Sequence, residues 1–427
     1  MSTTTLFDTS YKERKQALMK QVLDVLRPVY SVEEIEALRI DPVNTAILSQ
    51  RSGRGFVNRD LLETVLGNLL ECVAPGSHNA LDPQHHKRDL AGSIEELADQ
   101  LYAMIAQSLL AAGEDDSLED RALFSTFALL WELPVFKERS LWNRFASLTD
   151  PAAWDAYLLH TCGLSPETLA DLEFGKRIEE AIVERSFTPY RNFLQDLGCS
   201  TIFAYQMQLV MSTYPGWRVL FYHDIAHALT RSGCISGNPQ LQRLPVPLLP
   251  RAISELGGRY YQADLHPETK IGDANFLDHP HRGITTGQTG IIGSGCHILP
   301  CTLGGLSERA TQRHPTIGNY VSIGTDADLF GPVQVGDHSV IGPNAEVNGL
   351  VEIGASCHIG SSVVIGTIKS GERKPGRILL GQGVRVGDGT IVENVSELDL
   401  VIPEKAEIPA RSHVTNDGFG TPRYMRG

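Results

Sequence analysis

Stepping six residues at a time from Ile317 lands on Ile323, Leu329, Val335, Ile341, Val347, Ile353, Ile359 and Ile365, with no step missed. At seven of these nine positions the next residue is Gly, the exceptions being Phe330 and Asn348. A period of six fits neither the 3.6 of a helix nor the bare alternation of a strand. It fits a chain wound into a triangular coil of about 18 residues, with three six-residue faces per turn. Each aliphatic side chain then points into a prism and is covered by the coils above and below. One coil cannot bury its own apolar stripe, so the repeat is stable only when stacked. Gly beside the inward residue suits a tight corner or a close approach of neighbouring coils.

The stepping extends beyond this core. Leu265, Ile271 and Leu277 open it, and Ile292 and Ile298 resume it after an irregular stretch. Leu380, Val386 and Val392, then Ile402, Ile408 and Val414, complete roughly seven coils of about 18 residues each. Two polar interruptions, Gly304 to Pro315 and Thr367 to Arg377, read as protruding loops. Residues 251–415 are therefore expected to form the prism, with 416–427 as an exposed tail. Upstream, residues 1–250 read as helical, 1–190 as an extension and 190–250 as a part joined to the prism. Ser31-Val32-Glu33-Glu34 and Ser93-Ile94-Glu95-Glu96 fit the capping box. Ile94, Leu97, Leu101, Ile105 and Leu109 then fall on one helical face. Asp150-Pro151 and Ser165-Pro166 read as further helix starts, and the proline-rich stretch from Gly233 to Arg251 as the connection into the prism. The fold class is α+β, a helical N-terminal domain followed by a parallel β-helix.

Composition narrows the function. A formal charge of −14 argues against wholesale binding to nucleic acid or anionic membrane, though it allows a local basic pocket. No stretch approaches about 18 uninterrupted apolar residues, and Met1 to Lys15 carries no signal-peptide pattern, so a cytoplasmic protein is expected. The seven cysteines are scattered without close pairs and read as reduced and mostly buried, with no zinc site.

Titratable residues gather where the repeat is irregular: Asp264-Leu265-His266-Pro267, Asp278-His279-Pro280-His281-Arg282-Gly283 and Arg313-His314-Pro315. Asp264 and His279 are fifteen residues apart, slightly less than one 18-residue turn, which predicts side chains within reach on neighbouring coils. A carboxylate beside an imidazole fixes its tautomer and raises its basicity, as a general base requires. An Arg on a projecting loop offers a planar fork for a carboxylate or phosphate.

These motifs resemble the serine O-acetyltransferases, hexapeptide-repeat enzymes with a helical domain followed by a left-handed parallel β-helix. The match runs from Tyr214-Pro215-Gly216 and Ile225-Ala226-His227-Ala228-Leu229 through Ala252-Ile253-Ser254-Glu255 to Thr302-Leu303-Gly304-Gly305 and Arg313-His314-Pro315. It covers about the last half of the chain, and the spacings from Asp264 to His279 and from His279 to Arg313 are the family's. The resemblance implies acetyl transfer from acetyl-CoA to the hydroxyl of serine, with no metal. It makes His279 the general base, Asp264 its orienting carboxylate, Asp278 the contact for the acceptor's amino group, Arg313 the contact for its carboxylate, and His314 a neighbour in that pocket. Gly305, with Gly304, would let the CoA arm pass close to the backbone, and the cations Lys369, Arg373, Lys374 and Arg377 could grip its phosphates. The resemblance further implies a trimer, or a dimer of trimers, with the active site between adjacent prisms.

The departures are as definite. Where the family usually has Ala-Thr-Gly after its Asp-His pair, this chain has Pro280-His281-Arg282-Gly283, which predicts a reshaped acceptor pocket with an extra cation, Arg282. Gln288 replaces the Glu of a Gly-Glu-Thr triplet. Thr325 and Pro343 stand where small residues line the CoA groove. Asp196 lies near the family's Asp-Pro acceptor contact but is followed by Leu197, and its simpler reading is a helix-end carboxylate. The chain ends Arg426-Gly427 rather than in the Ile that engages the next enzyme of cysteine synthesis, so no such complex is expected. Two other readings stand beside acetylation of serine: the same chemistry on a homoserine-like or specialised-metabolite acceptor, and a non-catalytic β-helix scaffold. Zinc bound by His281, His297, His338 and His358 fits the spacing poorly, and His223 and His227 read as packing residues on a helix.

Overall fold

The computed structural model describes residues 59–73, 90–112, 118–141, 214–235, 238–243, 245–306, 311–367, 376–416 and 422–426. Asp196, Lys369, Arg373 and Lys374, and the helix starts at Ser31, Asp150 and Ser165, lie outside them. The chain divides into two compact units, the first made of Met1–Asn68, Asp82–Leu130 and Arg231–Leu249 and the second holding the prism.

In the first unit, helix Leu90–Ala111 buries Leu97, Leu101, Ile105 and Leu109, the stripe set by their spacing. It begins three residues before Ser93, so the second capping box lies inside the helix and does not start it. Propensity overrides the cap signal there, since Leu90, Ala91 and the residues after them are compatible with helix. Leu62, Val65 and Leu66 of helix Arg59–Val73 are likewise buried. The connection is not wholly irregular: Gly233–Ile235 pairs antiparallel with Asn238–Arg243. Its later part is tied down by Ser108, whose hydroxyl donates to the Pro247 carbonyl and accepts the Leu249 amide.

The prism fills the second unit. Two faces each carry seven strands in parallel order, and the third carries nine. Partners in its middle coils lie eighteen residues apart, as in Thr316 with Gln334, Ser322 with Val340 and Asp328 with Glu346. Every residue of the stepped series from Ile317 to Ile365 is at most 3% exposed, and Leu380, Val386, Val392, Ile402, Ile408 and Val414 join the same core. The stripe is thus a continuous aliphatic column.

Most of the glycines after the inward positions serve close approach between coils, Gly366 being an exception. A Cβ at Gly342 would lie 2.6 Å from the backbone of Gly360, and one at Gly324 would lie 2.5 Å from Pro343 N, so glycine sets the spacing between coils. Corners on two of the faces turn three places after the inward position, mostly at non-glycine residues, with Gly295, Gly383 and Gly389 taking the same place, whereas Gly331 and Gly349 turn the third. Tyr320, Asp326, His338, Asn344, Ser356 and Ser362 all have φ of 55–60°. That left-handed conformation is therefore a regular part of this coil.

The end of the chain departs from expectation. Ser412–Asn416 is paired antiparallel by Pro422–Arg426, so residues 416–427 are not simply an exposed tail. The returning strand satisfies backbone groups that the last coil would otherwise present at an open edge. Asn416, taken as the tail's first residue, is buried and its side-chain amide donates to Asn394 Oδ1 and Ser396 Oγ.

At the other end of the prism, helix Pro215–Thr230 starts with Pro at its first position and packs on the first coil. Gly216 is required there, because a Cβ would collide with the Leu277 carbonyl. His227 Nδ1 lies 2.8 Å from the Pro267 carbonyl, tying the helix to the same coil. Truncating an inward side chain should cost far more than truncating an outward one on the same coil. Ile359→Ala is expected to lose about 3 kcal/mol, whereas Val364→Ala should lose less than about 1 kcal/mol. Urea denaturation of the two variants checks the difference.

Candidate active site

The first coil is longer than the eighteen residues of the middle coils. Ala263 pairs with Ile284, Lys270 with Ile291 and Phe276 with His297, each pair twenty-one residues apart. Within this longer turn Pro280–Arg282 forms a single turn of 3₁₀-helix, with His279 at its N-cap. His279 takes φ 51° and ψ 45°, the conformation of the regular corners, so its backbone needs no special strain to explain it. Its imidazole is 66% exposed.

Within this turn the carboxylate expected to orient His279 carries hydrogen bonds from Arg251. Asp264 lies in register with Thr285, not with His279, and its hydrogen bonds go to Arg251. Arg251 Nη1 reaches Asp264 Oδ1 at 3.0 Å and Nη2 reaches Oδ2 at 3.4 Å, a two-pronged grip, while Nη2 also meets Glu255 at 2.7 Å. The carboxylate beside His279 is that of Asp278, whose Oδ1 lies 3.5 Å from Nε2. Its other oxygen lies 3.2 Å from His297 Nε2. Sequence reasoning took Asp278 as a candidate but placed His297 only in a weak zinc pattern and passed over Arg251. The signal for His297 was available only from the twenty-one-residue offset, which sets it beside Phe276.

The second part of the site is a loop held against the second coil. Thr289 Oγ1 accepts the backbone N–H groups of Arg313 at 3.0 Å and His314 at 3.2 Å. His314 Nδ1 lies 2.9 Å from that hydroxyl and accepts the Thr289 amide at 3.3 Å. Gln312 Nε2 donates to the carbonyls of Thr289 at 2.6 Å and His314 at 2.8 Å. With Nδ1 accepting, the neutral ring carries its proton on Nε2. Burial holds His314 below the ordinary imidazole range, and the charge of Arg313 and then His266 push the same way. His266 is lowered too, first by burial and then by Arg251.

Gly304 and Gly305, expected to admit a CoA arm, and Gly287 each lie close to a side chain of this chain. A Cβ at Gly287 would collide with the His314 ring, and one at Gly305 would lie 2.9 Å from His314 Nε2. A Cβ at Gly304 would lie 2.5 Å from the Phe330 ring. These three glycines therefore clear space for side chains of this chain. Arg282 is exposed, with Nη2 3.6 Å from Asp326 Oδ2. Arg377 is bracketed by Asp399 at 2.9 Å and Glu352 at 3.0 Å, which leaves its fork engaged by carboxylates and not aimed at phosphate. Thr325 is half-buried at a corner, its carbonyl accepting the Asn344 amide at 2.9 Å.

Among the described residues a cysteine nucleophile has no support. Cys296, Cys301 and Cys357 are buried free thiols, and burial pushes the first two up to about 12, so neither forms a thiolate near neutral pH. The arrangement instead offers an open imidazole beside a carboxylate, with an Arg and a neutral His on a pinned loop. That set can take a proton from a bound hydroxyl.

No protein-family model matches the chain. Curated relatives do. It is 35% identical over 130 residues to a serine acetyltransferase of Synechococcus elongatus, a match covering 30% of this chain and 48% of that protein. It is 34% identical over 129 residues to a serine acetyltransferase of Helicobacter pylori, covering 30% of this chain and 68% of that protein. The chain spans about half the length of the first curated relatives it matches, at 48%, 46% and 52%. Among solved structures, serine acetyltransferase 1 of Entamoeba histolytica in complex with L-cysteine aligns with a TM-score of 0.39 and 24% identity, over 72% of this chain and 86% of that one. With a relative 34% identical and matched over 68% of its length, this chain belongs to the serine acetyltransferase family.

Proposed function

We propose that the chain transfers the acetyl group of acetyl-CoA to the hydroxyl of L-serine, in the synthesis of cysteine, with His279 as general base. The observation that carries this reading is the exposed His279 imidazole with Asp278 beside it, on the coil next to the one that pins the Arg313-His314 loop. The names of the curated relatives support the same acceptor and group. In this reading His279 takes the hydroxyl proton as the oxygen attacks the thioester carbonyl carbon. The tetrahedral intermediate collapses with cleavage of the C–S bond, and the proton passes from His279 to the departing thiolate. O-acetylserine and free CoA result. Holding both reactants in one cleft supplies a large part of the rate.

Asp278 takes the acceptor's ammonium and Arg313 its carboxylate. Asp264, held by Arg251, keeps lone pairs for a further donor and stays the proposed orienting carboxylate, while Asp278 Oδ1 lies 3.5 Å from His279 Nε2. Thr325 remains a candidate donor contact. An adjacent prism in a trimer, or in a dimer of trimers, would cover the open side of His279, and the protein would work in the cytoplasm.

Free-thiol release from acetyl-CoA across a panel of hydroxy amino acids tests the reading. Serine is expected to turn over, and His279→Ala should lower kcat by roughly 100- to 10,000-fold. Release with homoserine alone would transfer the reading to that acceptor, and no release with any acceptor would leave the scaffold.

The loop should also report on pH. Because His314 titrates below its ordinary value when folded, it contributes nothing to the pH dependence of stability above about pH 6.5. As pH falls below that value the unfolded chain takes up a proton that the folded chain refuses, so stability falls until the folded value is passed. Thermal midpoints followed downward from pH 7 should show this fall, and His314→Gln should make it shallower. An unchanged slope would remove His314 from the account.

A further inference from the structure

We propose that His297 is a positioning residue of the acceptor site, holding the Asp278 carboxylate where an acceptor's ammonium would meet it. The inference rests on the reading of Asp278 given above. Its own basis is the register of the first two coils. Phe276 pairs with His297, and the Asp278 amide donates to the Ile298 carbonyl at 2.9 Å. Phe276 and Asp278 are two residues apart on one coil, so both face outward and flank His297 on the next.

His297 does not belong to the aliphatic column; its neighbour Ile298 does. The imidazole is nonetheless only 18% exposed, set 5.3 Å from the Phe276 ring centroid with Nε2 directed at Asp278 Oδ2. The opposite oxygen faces His279. A carboxylate that could rotate freely on a prism corner is thereby given one orientation, with Oδ2 accepting from His297 and Oδ1 presented toward the base. Hydrogen bonds to a charged group are strong enough for this to matter to binding. In the order of events His297 touches no substrate; it acts through Asp278.

The test combines kinetics with a direct reading of the pair. His297→Phe keeps the ring volume against Phe276 but removes the donor, and the KM for the acceptor is expected to rise about tenfold, the loss of one charge-assisted hydrogen bond. The KM for acetyl-CoA should be unchanged and kcat should stay within about threefold. His297→Gln, which keeps a distal N–H, should recover most of the acceptor KM. A purely structural role predicts instead a loss of active fraction with both KM values intact, or no rescue by Gln, and either outcome overturns the proposal. Nitrogen-15 shifts of the full-length protein give a second reading that needs no turnover: His297 should be the Nε2–H tautomer in the wild type and lose that preference in Asp278→Asn. The Nδ1–H tautomer in the wild type would refute the pairing. Absence of thiol release from the wild-type chain would count against acetyl transfer itself, and it is told apart from failure of the pairing by the tautomer.

Discussion

The inward aliphatic column is what every other feature of this molecule depends on. Each inward side chain is covered only because the coils on either side keep their own residues in line with it, so a change of register at one coil displaces its whole face. Close stacking then demands glycine after most inward positions, where coil backbones approach too closely for a Cβ. The corners follow, with a left-handed residue three places on along two of the faces. One constraint thus fixes side-chain direction, coil spacing and corner geometry together.

A scaffold so regular leaves little room for chemistry, and the candidate site lies where regularity is relaxed. Three residues more than the usual eighteen enter the first turn, and the 3₁₀-helix at Pro280–Arg282 lies within it. That insertion raises His279 on an exposed corner while the strands on both sides stay in their sheets. The returning loop is then held by hydrogen bonds to Gly287–Thr289 and not by apolar burial. Hydrogen bonds fix direction better than an apolar contact does, and they leave the loop surface available to a polar ligand.

The column was legible in the sequence because its period is visible in single residues: Ile317 through Ile365 need only counting. The site residues were legible as a set, His279, Asp278, Arg313 and His314, because titratable residues cluster where the counting fails. Their partners were not. The first turn is twenty-one residues and not eighteen, which sets Asp264 beside Thr285 and His297 beside Phe276. Arg251 comes from a helix whose placement no prism period predicts. Gly304 and Gly305 illustrate a different limit. Sequence shows that a side chain is absent but not what fills its place, and here Phe330 and His314 do.

His314 shows how the glycines and the electrostatics belong to one arrangement. Its ring fits only because Gly287 and Gly305 offer no Cβ, and that tight fit is the burial that disfavours its charge. A neutral ring can accept at Nδ1 from the Thr289 amide, which a protonated ring could not do, so the loop's anchor requires the protonation state that the packing imposes. Arg313, next in sequence, adds its own charge in the same direction. The cation proposed for an acceptor carboxylate therefore also helps keep its neighbour neutral, and the neutral ring keeps the loop pinned.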